Sequence, residues 1–334
     1  MIIVAKEYGT KIGKRGNCIS IKAKEGEARN ICVDQVEELH IYPACSISAD
    51  VVQLCCENDI WIVFLDKYDN PLGEILPFSG GCSPIYKRKQ LLLSDSPLGV
   101  KLVKELLLKK IENRIVHLKH ILHNKRKKET IDCLKIAIEK MIIEKEKLSA
   151  IHGMTMAEVR YTMQGYEGSA GRAYFEAIAY LLPAELKFER RERNAQDVYN
   201  CALNYLYGIL YAKIKKMMYK CRLDPYIGIM HTDTYNKPTF VYDFIESQRI
   251  ICEEIAYRIC YTGQIGKESI LFDLGNASFT EEARKILICE FYGAMNEKCF
   301  YKKKAVTQER RIYLELKNLA KQIGEEEENV LGVI

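Results

Sequence analysis

The segment Ser79-Gly-Gly-Cys-Ser-Pro84 separates two parts of the chain that differ in hydrophobic pattern. Glycine, serine and proline favour turns and linkers, so a segment of this composition is typical of a domain boundary. We therefore predict a linker over residues 79–90, with one domain before it (residues 1–78) and one after it (residues 91–334). A chain of 334 residues is long enough for two domains of ordinary size.

The part before the linker has the pattern of short β-strands. Its apolar runs are bounded by glycine, asparagine and aspartate, which favour turns. These runs lie at residues 2–4, 18–21, 39–42, 60–65 and 74–78. One helix is predicted among them, over residues 49–57, because Val52 and Cys56 are four residues apart and share one side.

After the linker, apolar residues recur at helical spacing. Over residues 100–123, Val103, Leu107, Ile111 and Ile115 fall on one side of a helix, and lysines fall on the other. Further helices are predicted over residues 129–148, 154–163, 169–182, 197–221, 239–261, 280–297 and 305–323. The predicted fold class is α+β, with a small N-terminal β-rich domain followed by a large all-α C-terminal domain.

Positive charge is concentrated in two places. Residues 101–150 contain 14 Lys or Arg against 7 Asp or Glu, a local excess of +7 in a chain whose net charge is +5. A second basic run, at residues 302–304 with Arg310 and Arg311, precedes an acidic tail at residues 325–328. Such runs suit a polyanion such as nucleic acid. The alternative is a set of solvated helix faces.

The cysteines and the apolar runs predict a cytoplasmic, membrane-free setting. There are 13 cysteines, an odd number, without any Cys-x-x-Cys pair, and most lie among apolar residues as small hydrophobes. No amino-terminal signal pattern precedes them, which favours a reducing compartment. The longest apolar runs are far shorter than the roughly 20 residues that a bilayer span needs.

One stretch, residues 223–249, offers a histidine close to two carboxylates. Asp-Pro and Asn-Lys-Pro turn signals bracket His231, which places it in a loop. Asp243 and Glu246 are three residues apart and would project from one face of the following helix. A histidine and two carboxylates can hold a divalent metal. The alternative is a structural histidine beside a solvated carboxylate pair.

A second stretch supplies another carboxylate. In Tyr166-Glu-Gly-Ser-Ala-Gly-Arg-Ala-Tyr-Phe175, Glu167 opens a run of small residues that lets a ligand or another backbone approach closely. Arg172 is five residues from Glu167 and is left free for a phosphate. By contrast, His117, His120 and His123 lack accompanying carboxylates, so we interpret them as a polar stripe that could face nucleic acid.

Three separated motifs resemble those of a known family. Glu167-Gly-x-x-Gly-Arg-x-Tyr-Phe175, Asp224-Pro-Tyr-x-Gly-x-x-His231 and Tyr242-Asp-x-x-Glu246 are similar, in the same order, to motifs of the CRISPR-associated adaptation integrases. These are the larger of the two core spacer-acquisition proteins. Arg88-x-Gln90 also fits the family, and so does the region 193–205, although Ala195-Gln196 stands where the family often has prolines.

The resemblance implies a metal site built from Glu167, His231 and Glu246, with Asp243 as a further catalytic acid behind it or as an alternate ligand. Carboxylate and imidazole ligands suit Mg²⁺ or Mn²⁺ better than a closed zinc site, which favours thiolates. The implied reaction is insertion of spacer DNA into a CRISPR array by attack of a 3′-hydroxyl on a phosphodiester.

The resemblance also implies partners. These are prespacer DNA and the repeat array, a second copy of the chain, and the small partner CRISPR-associated adaptation protein. We expect the homodimer to form mainly through the β-rich domain, because a β domain of this size is marginal alone and has strand edges to cover. The predicted DNA contacts are Arg172, Lys237 and Arg249, with Tyr235 as an exposed ring on which a base could stack.

Three alternatives stay open from the residues alone. A metal-dependent nuclease that hydrolyses DNA without integrating it would use the same ligands, with water as the nucleophile. A helical nucleic-acid-binding protein without chemistry would use only the lysine-rich helices. The chain could also be one module of a larger fusion, because the family is sometimes joined to a reverse transcriptase.

Overall fold

The computed structural model describes residues 2–67, 71–75, 84–192, 196–273 and 276–325. Contacts divide the chain into two compact units, Met1–Cys82 and Ser83–Ile334. The first unit is rich in strands and the second in helices. This confirms the predicted order of a small β-rich part followed by a large helical part.

The described residues of the first unit form two four-stranded sheets and an α-helix. Its elements are β1 (Ile2–Ala5), β2 (Lys11–Arg15), β3 (Cys18–Lys22), β4 (Arg29–Cys32), β5 (Glu38–Ile41), β6 (Ser46–Ile47), α1 (Ala49–Glu57), β7 (Trp61–Leu65) and β8 (Pro71–Ile75). One sheet has the order β1-β5-β7-β8 and the other β4-β3-β2-β6. Ile19, Leu39, Val51 and Ile62 lie fully buried in the core of this unit.

Three of these strands lacked a hydrophobic signal in the sequence. β2 has one apolar side chain, Ile12, among basic residues and a glycine, β4 begins with two polar residues, and β6 has only two residues. They are held by pairing instead, since β2 and β4 lie on either side of β3 and β6 lies beside β2. Of the predicted run at residues 74–78, residues 76–78 lie outside the described part of the chain.

The second unit is built mainly from helices. They are α2 (Pro84–Leu91), α3 (Pro97–His123), α4 (Lys128–Ser149), α5 (Met156–Leu181), α6 (Val198–Lys220), α7 (Thr239–Ile245), α8 (Ile250–Tyr261), α9 (Glu281–Asn296) and α10 (Gln308–Glu325). Residues 84–90, which we assigned to the linker, instead form most of α2, with Pro84 at the first helical position that proline favours. Residues 79–83 of the predicted linker are not among the described residues.

The prediction that the second unit is entirely helical needs one correction. Two short antiparallel hairpins interrupt the helices, β9 (Ile270–Asp273) with β10 (Asn276–Phe279), and β11 (Lys298–Tyr301) with β12 (Lys304–Thr307). Each strand has only four residues, too few for a clear alternation of apolar and polar positions. The predicted helix over 305–323 starts later for this reason, at Gln308.

Two helix boundaries also differ from the prediction. The separate helices expected over 154–163 and 169–182 are one helix, α5, because Met163, Ala170 and Tyr174 are buried along its length. That packing outweighs the roughly 1 kcal/mol that each interior glycine costs. The helix expected over 239–261 is split by a 3₁₀ turn, Glu246–Gln248, between α7 and α8. Within the described ranges, no helix combines the length and apolar character needed to cross a membrane.

Candidate functional site

Two predicted ligands, Glu167 and Glu246, meet at one cation. The ammonium group of Lys110 on α3 contacts a carboxylate oxygen of Glu167 on α5 and one of Glu246 in the turn after α7. The side chains of Lys110 and Glu246 are 7% exposed, and that of Glu167 is 23% exposed. Three elements far apart in sequence therefore bring two acidic groups to a single, largely buried position.

Arg249 stabilises the charged form of Glu246. Its Nη2 donates a 2.8 Å hydrogen bond to the other oxygen of Glu246. Burial alone raises the pKa of Glu246, but the charges and hydrogen bonds of Arg249 and Lys110 outweigh it and hold the pKa well below its usual range. The guanidinium of Arg249 also lies 4.7 Å from the ring centroid of Tyr207. Arg249, which we predicted to contact DNA, is thus largely buried and paired within the protein.

A second buried ion pair lies next to this cluster. Arg114 on α3 donates to both oxygens of Glu253 on α8, at 3.0 and 2.6 Å, and the Tyr207 hydroxyl donates to Glu253 at 2.9 Å. Burial raises the pKa of Glu253, but the neighbouring Arg114 and these hydrogen bonds lower it overall. Arg114 Nη1 also lies 3.7 Å from Glu167, so the pair is connected to the carboxylate cluster.

Gly171 explains part of the small-residue run after Glu167. A Cβ atom at this position would lie 3.2 Å from Arg114 Nη1 and 3.6 Å from Glu167 Oε1, so glycine keeps the approach of the arginine open. Gly168, in contrast, faces open space, where a Cβ would meet no atom within 4 Å. Within this run, Gly171 is therefore needed for the packing of Arg114, whereas Gly168 lies on an open face of α5.

Asp243 positions the histidine loop. Its carboxylate is fully buried and accepts hydrogen bonds from the backbone N–H groups of Ile229, Met230 and His231, at 2.6, 3.1 and 3.0 Å. The same carboxylate lies 2.7 Å from His231 Nδ1. Because these carboxylate oxygens act as acceptors, the neutral form of the ring would carry its proton on Nδ1 and its lone pair on Nε2. Asp243 therefore holds the loop and sets the tautomer, and its oxygens are engaged rather than open to a metal.

Asp243 and Glu246 do not share one face as the spacing suggested. Asp243 points to the His231 loop, whereas Glu246 contacts Lys110 on α3. The His231 ring lies 5.9 Å from the ring of Tyr242, measured between centroids, and Tyr242 in turn lies 5.4 Å from Tyr211. Within the described part of the chain, no group of three or more His, Cys, Asp or Glu side chains is arranged to hold a metal ion. Lys110 thus contacts two of the three predicted ligands, Glu167 and Glu246, whereas the described contacts of His231 are with Asp243 and Tyr242.

Gln90 and Gly228 fix the backbone of the loop that leads to His231. The buried Gln90 side chain donates to the carbonyl oxygens of Asp224 and Ile227, at 2.7 and 2.9 Å, and accepts from the N–H of Asp224 at 2.9 Å. A Cβ at Gly228 would lie 2.4 Å from the carbonyl oxygen of His231, a distance that only glycine tolerates. These contacts explain structurally why the matching motifs have glutamine at position 90 and glycine at position 228.

The remaining predicted DNA contacts lie at the surface. Arg172 is exposed on α5, and Lys237 is exposed in the loop between His231 and α7. Tyr235, in the same loop, is 97% exposed, which confirms the expectation that its ring faces solvent.

The prediction that His117, His120 and His123 form a polar stripe on α3 is wrong for His117. His117 is buried, its Nδ1 lies 2.8 Å from the Tyr174 hydroxyl, and burial lowers its pKa to about 4. His120 and His123 are exposed.

The sequence model of the family described as CRISPR associated protein Cas1 matches residues 3–292, most of the chain. The chain is a member of the Cas1 family. This confirms the family that the three motifs indicated.

Individual Cas1 relatives extend over nearly the same length. A protein of Archaeoglobus fulgidus, named CRISPR-associated endonuclease Cas1 1, is 26% identical over 318 residues, which cover 90% of each chain. Among solved structures, a casposase bound to integration product is similar with a TM-score of 0.78 and 18% identity, over 98% of this chain and 91% of that one. A chain of a Cas6-RT-Cas1–Cas2 complex has a TM-score of 0.74 and 19% identity, over 98% of this chain and 35% of that one. At these identities the structural likeness shows a shared fold.

Proposed function

We propose that this protein inserts short DNA into a CRISPR repeat array by metal-assisted attack of a 3′-hydroxyl on a phosphodiester. The observation that supports the chemistry best is the convergence of Glu167 and Glu246 on one cation, the ammonium of Lys110. Membership of the Cas1 family, and relatives named as an endonuclease and as a casposase, support DNA as the substrate.

The chemistry of these side chains, rather than their present arrangement, suits a hard divalent cation such as Mg²⁺ or Mn²⁺. Two carboxylates that already share a cation offer the oxygen ligands that these ions prefer, and His231 offers a nitrogen whose lone pair Asp243 leaves free. Glu167, Glu246 and His231 would hold the ion, which would take over the charge balance that Lys110 now supplies. When bound, it would activate the attacking hydroxyl and neutralise charge on the phosphate.

The protein's own residues would prepare the site in three ways. Arg249 and Lys110 keep Glu246 ionised, as its lowered pKa indicates. Asp243 orients the His231 ring and fixes its tautomer. Arg172 and Lys237 would contact phosphates, and Tyr235 would stack on a base, because all three side chains are exposed.

A strand-transfer assay tests this function. A labelled short DNA with a free 3′-hydroxyl is mixed with the protein and a plasmid that carries a repeat array, in Mg²⁺, in Mn²⁺ or with a chelator. We expect covalent transfer of the label to the plasmid in either metal, and loss of transfer with the chelator or with a blocked 3′ end. Plasmid nicking that is indifferent to the blocked end would favour the hydrolytic nuclease, and binding without any cleavage would favour the non-catalytic alternative.

Lys110→Met provides a test of the metal site that does not depend on activity. In metal-free buffer we expect the variant to lose roughly 3 kcal/mol of stability, because two carboxylates lose a buried counter-charge. Mn²⁺ should then raise its melting temperature more than that of the unchanged protein, since no ammonium competes for the carboxylates. Lys109→Met, at the neighbouring position that pairs with Glu315 instead, is the control. Equal Mn²⁺ shifts in both variants and in the parent would contradict the site.

The proposal includes the partners that the resemblance implies. The first unit would mediate a homodimer, the second would carry the catalytic site, and the small CRISPR-associated adaptation protein would join the assembly. A Cas1-containing complex whose name also includes Cas2 has a chain of the same fold, which supports such an assembly. Light scattering at micromolar concentration tests the dimer, and a monomeric mass throughout would contradict it.

A further inference from the structure

Two cysteines face each other across neighbouring strands of the first unit. Cys18 on β3 is directly opposite Cys32 on β4 in the antiparallel register, and both are free thiols. In the other described strand pairs, no cysteine lies opposite a second cysteine. We refer to Cys18 and Cys32 as the cross-strand pair.

The hydrogen bond next to the cross-strand pair defines its geometry. The N–H of Val33 donates to the carbonyl oxygen of Asn17 at 3.2 Å, one step along from the two cysteines. Hydrogen-bonded and non-hydrogen-bonded pairs alternate along antiparallel strands, so Cys18 and Cys32 form a non-hydrogen-bonded pair, a type whose Cα atoms lie about 4.5 Å apart. Disulfides join residues whose Cα atoms are roughly 4.4–6.8 Å apart. The two thiols are therefore within bonding reach without movement of the strands.

The cross-strand pair lies on the face of its sheet that points away from the core. Side chains alternate between the two faces along a strand, and the neighbouring Ile19 and Ile31 are the ones that pack with the core. Cys18 and Cys32 are half-buried, so a dissolved reagent can reach them. Cys55 provides a contrast, because it is buried in the core and burial raises its pKa to about 11.

Opposite charges flank the two thiols. Arg15 on β2 is exposed and directly opposite Cys18, which places a cation beside this cysteine on the same face. The thiol of Cys32 instead donates a 3.7 Å hydrogen bond to the carboxylate of Asp34. A partly exposed cysteine beside a cation is the usual setting of a reactive thiol. An anionic reagent should therefore react first at Cys18.

We propose that the cross-strand pair is a reversible oxidation site, which forms a disulfide on reaction with a small anionic disulfide such as glutathione disulfide. The sulfur of Cys18 attacks one sulfur of the oxidant, whose S–S bond breaks and releases one glutathione. Cys32 then attacks the sulfur of Cys18, forms the Cys18–Cys32 bond and releases the second glutathione. The two cysteines lose two electrons and two protons, and the oxidant takes up both as two thiols.

The disulfide would hold the edge strand β4 in place. In the described sheet β4 pairs only with β3, and an edge strand of this kind opens locally more easily than a central one. The bond would close the segment between Cys18 and Cys32 into a ring and restrict this opening until it is reduced. Disulfides of reducing compartments are usually transient and redox-sensing, which agrees with a reversible bond. The inference does not depend on the proposed function.

Disulfide mapping of the full chain tests the site. The protein is incubated with rising glutathione disulfide until the exposed Cys289 carries glutathione, and the remaining thiols are blocked with N-ethylmaleimide. Trypsin with Asp-N protease should then release peptides 16–22 and 30–33 joined by a bond that dithiothreitol breaks. The proposal is overturned if Cys18 and Cys32 are alkylated, or carry separate glutathiones, in samples where Cys289 is modified.

Two variants separate the strand register from general thiol reactivity. Cys32→Ser should stop at the mixed disulfide and keep one glutathione on Cys18. Cys18→Ser/Ser20→Cys keeps two thiols on one face but places them diagonally, roughly 7–8 Å apart, so the joined peptides should be absent. Joined peptides at the parent yield in this diagonal variant would show that the register does not bring the thiols together, and would contradict the proposal.

Hydrogen exchange tests the effect on β4. In the oxidised parent protein, the amides of Ile31 and Val33 should exchange at least about tenfold more slowly than in the reduced protein, because the bond at Cys32 restricts local opening. Cys32→Ser, treated in the same way, should change by less than about twofold and is the control. Unchanged exchange in protein that carries the mapped disulfide would show that the bond does not hold β4.

Discussion

Glu167→Gln is expected to reduce strand transfer about a thousandfold while changing the free energy of unfolding by less than about 1 kcal/mol. Glutamine keeps the shape of the side chain and can still accept a hydrogen bond from Lys110. The ion pair between Lys110 and Glu246 is unchanged. It removes the negative charge that a divalent ion requires. A loss of about 4 kcal/mol in transition-state stabilisation corresponds to this factor and is within the range of metal-ion catalysis.

The measurement is a single-turnover transfer rate in saturating Mg²⁺, with urea unfolding of the same preparations. Glu176→Gln is the matched control, because Glu176 is an exposed glutamate on the same helix, α5. It should transfer strands at the rate of the parent protein. If the transfer rate of Glu167→Gln is within tenfold of the parent rate, Glu167 serves only as an ion-pair partner of Lys110 and the proposed metal site is incorrect.

The sequence was sufficient to predict the candidate metal ligands, but not the cations that pair with them in the structure. Glu167, His231 and Glu246 stand in motifs with short, readable spacing. Lys110 and Arg114 lie instead in a helix with many lysines, where each looks like ordinary surface charge. Which of these cations is buried depends on how α3, α5 and α8 pack, and that is a property of contacts more than 50 residues apart.

One signal in the sequence could have identified the buried cations. Val103, Leu107, Lys110, Arg114 and His117 follow each other at steps of four and three, so they share one stripe of α3. The structure buries all five. We interpreted the apolar members as the core and the charged ones as solvated, whereas a polar residue on an apolar stripe indicates a buried partner.

Backbone features were predictable only where the local pattern was strong. The limits of α1 match the predicted 49–57, although its buried residues are Val51, Leu54 and Cys55 rather than the Val52 and Cys56 on which the prediction rested. The glycines of α5 suggested a break, yet tertiary packing keeps the helix continuous. Asp243 shows that local spacing is also a weak guide within the candidate site. Its spacing from Glu246 predicted that the two carboxylates share one helix face, but Asp243 forms its hydrogen bonds with the His231 loop.

Glu253→Gln is expected to lower the free energy of unfolding at neutral pH by roughly 3–5 kcal/mol, because Arg114 would be left buried without a counter-charge. Arg114 and Glu253 are both fully or nearly fully buried, so solvent cannot replace the lost partner. The exposed Glu139→Gln on α4 should change stability by less than about 0.5 kcal/mol. Arg114→Met combined with Glu253→Gln should recover part of the loss, since the orphaned charge is then removed as well.

The pH dependence of the same variant tests the cause. The folded-state pKa of Glu253 is lowered, so its contribution to stability is complete above the unfolded value of about 4.3 and is lost as the pH falls through the folded pKa. Stability of the parent protein should therefore decline below about pH 5, and Glu253→Gln should decline less steeply. Parallel pH profiles would mean that Glu253 is not the charged partner of Arg114. Because Arg114 also lies 3.7 Å from Glu167, a loosened pair should weaken Mn²⁺ binding too, which links the buried ion pair to the candidate metal site.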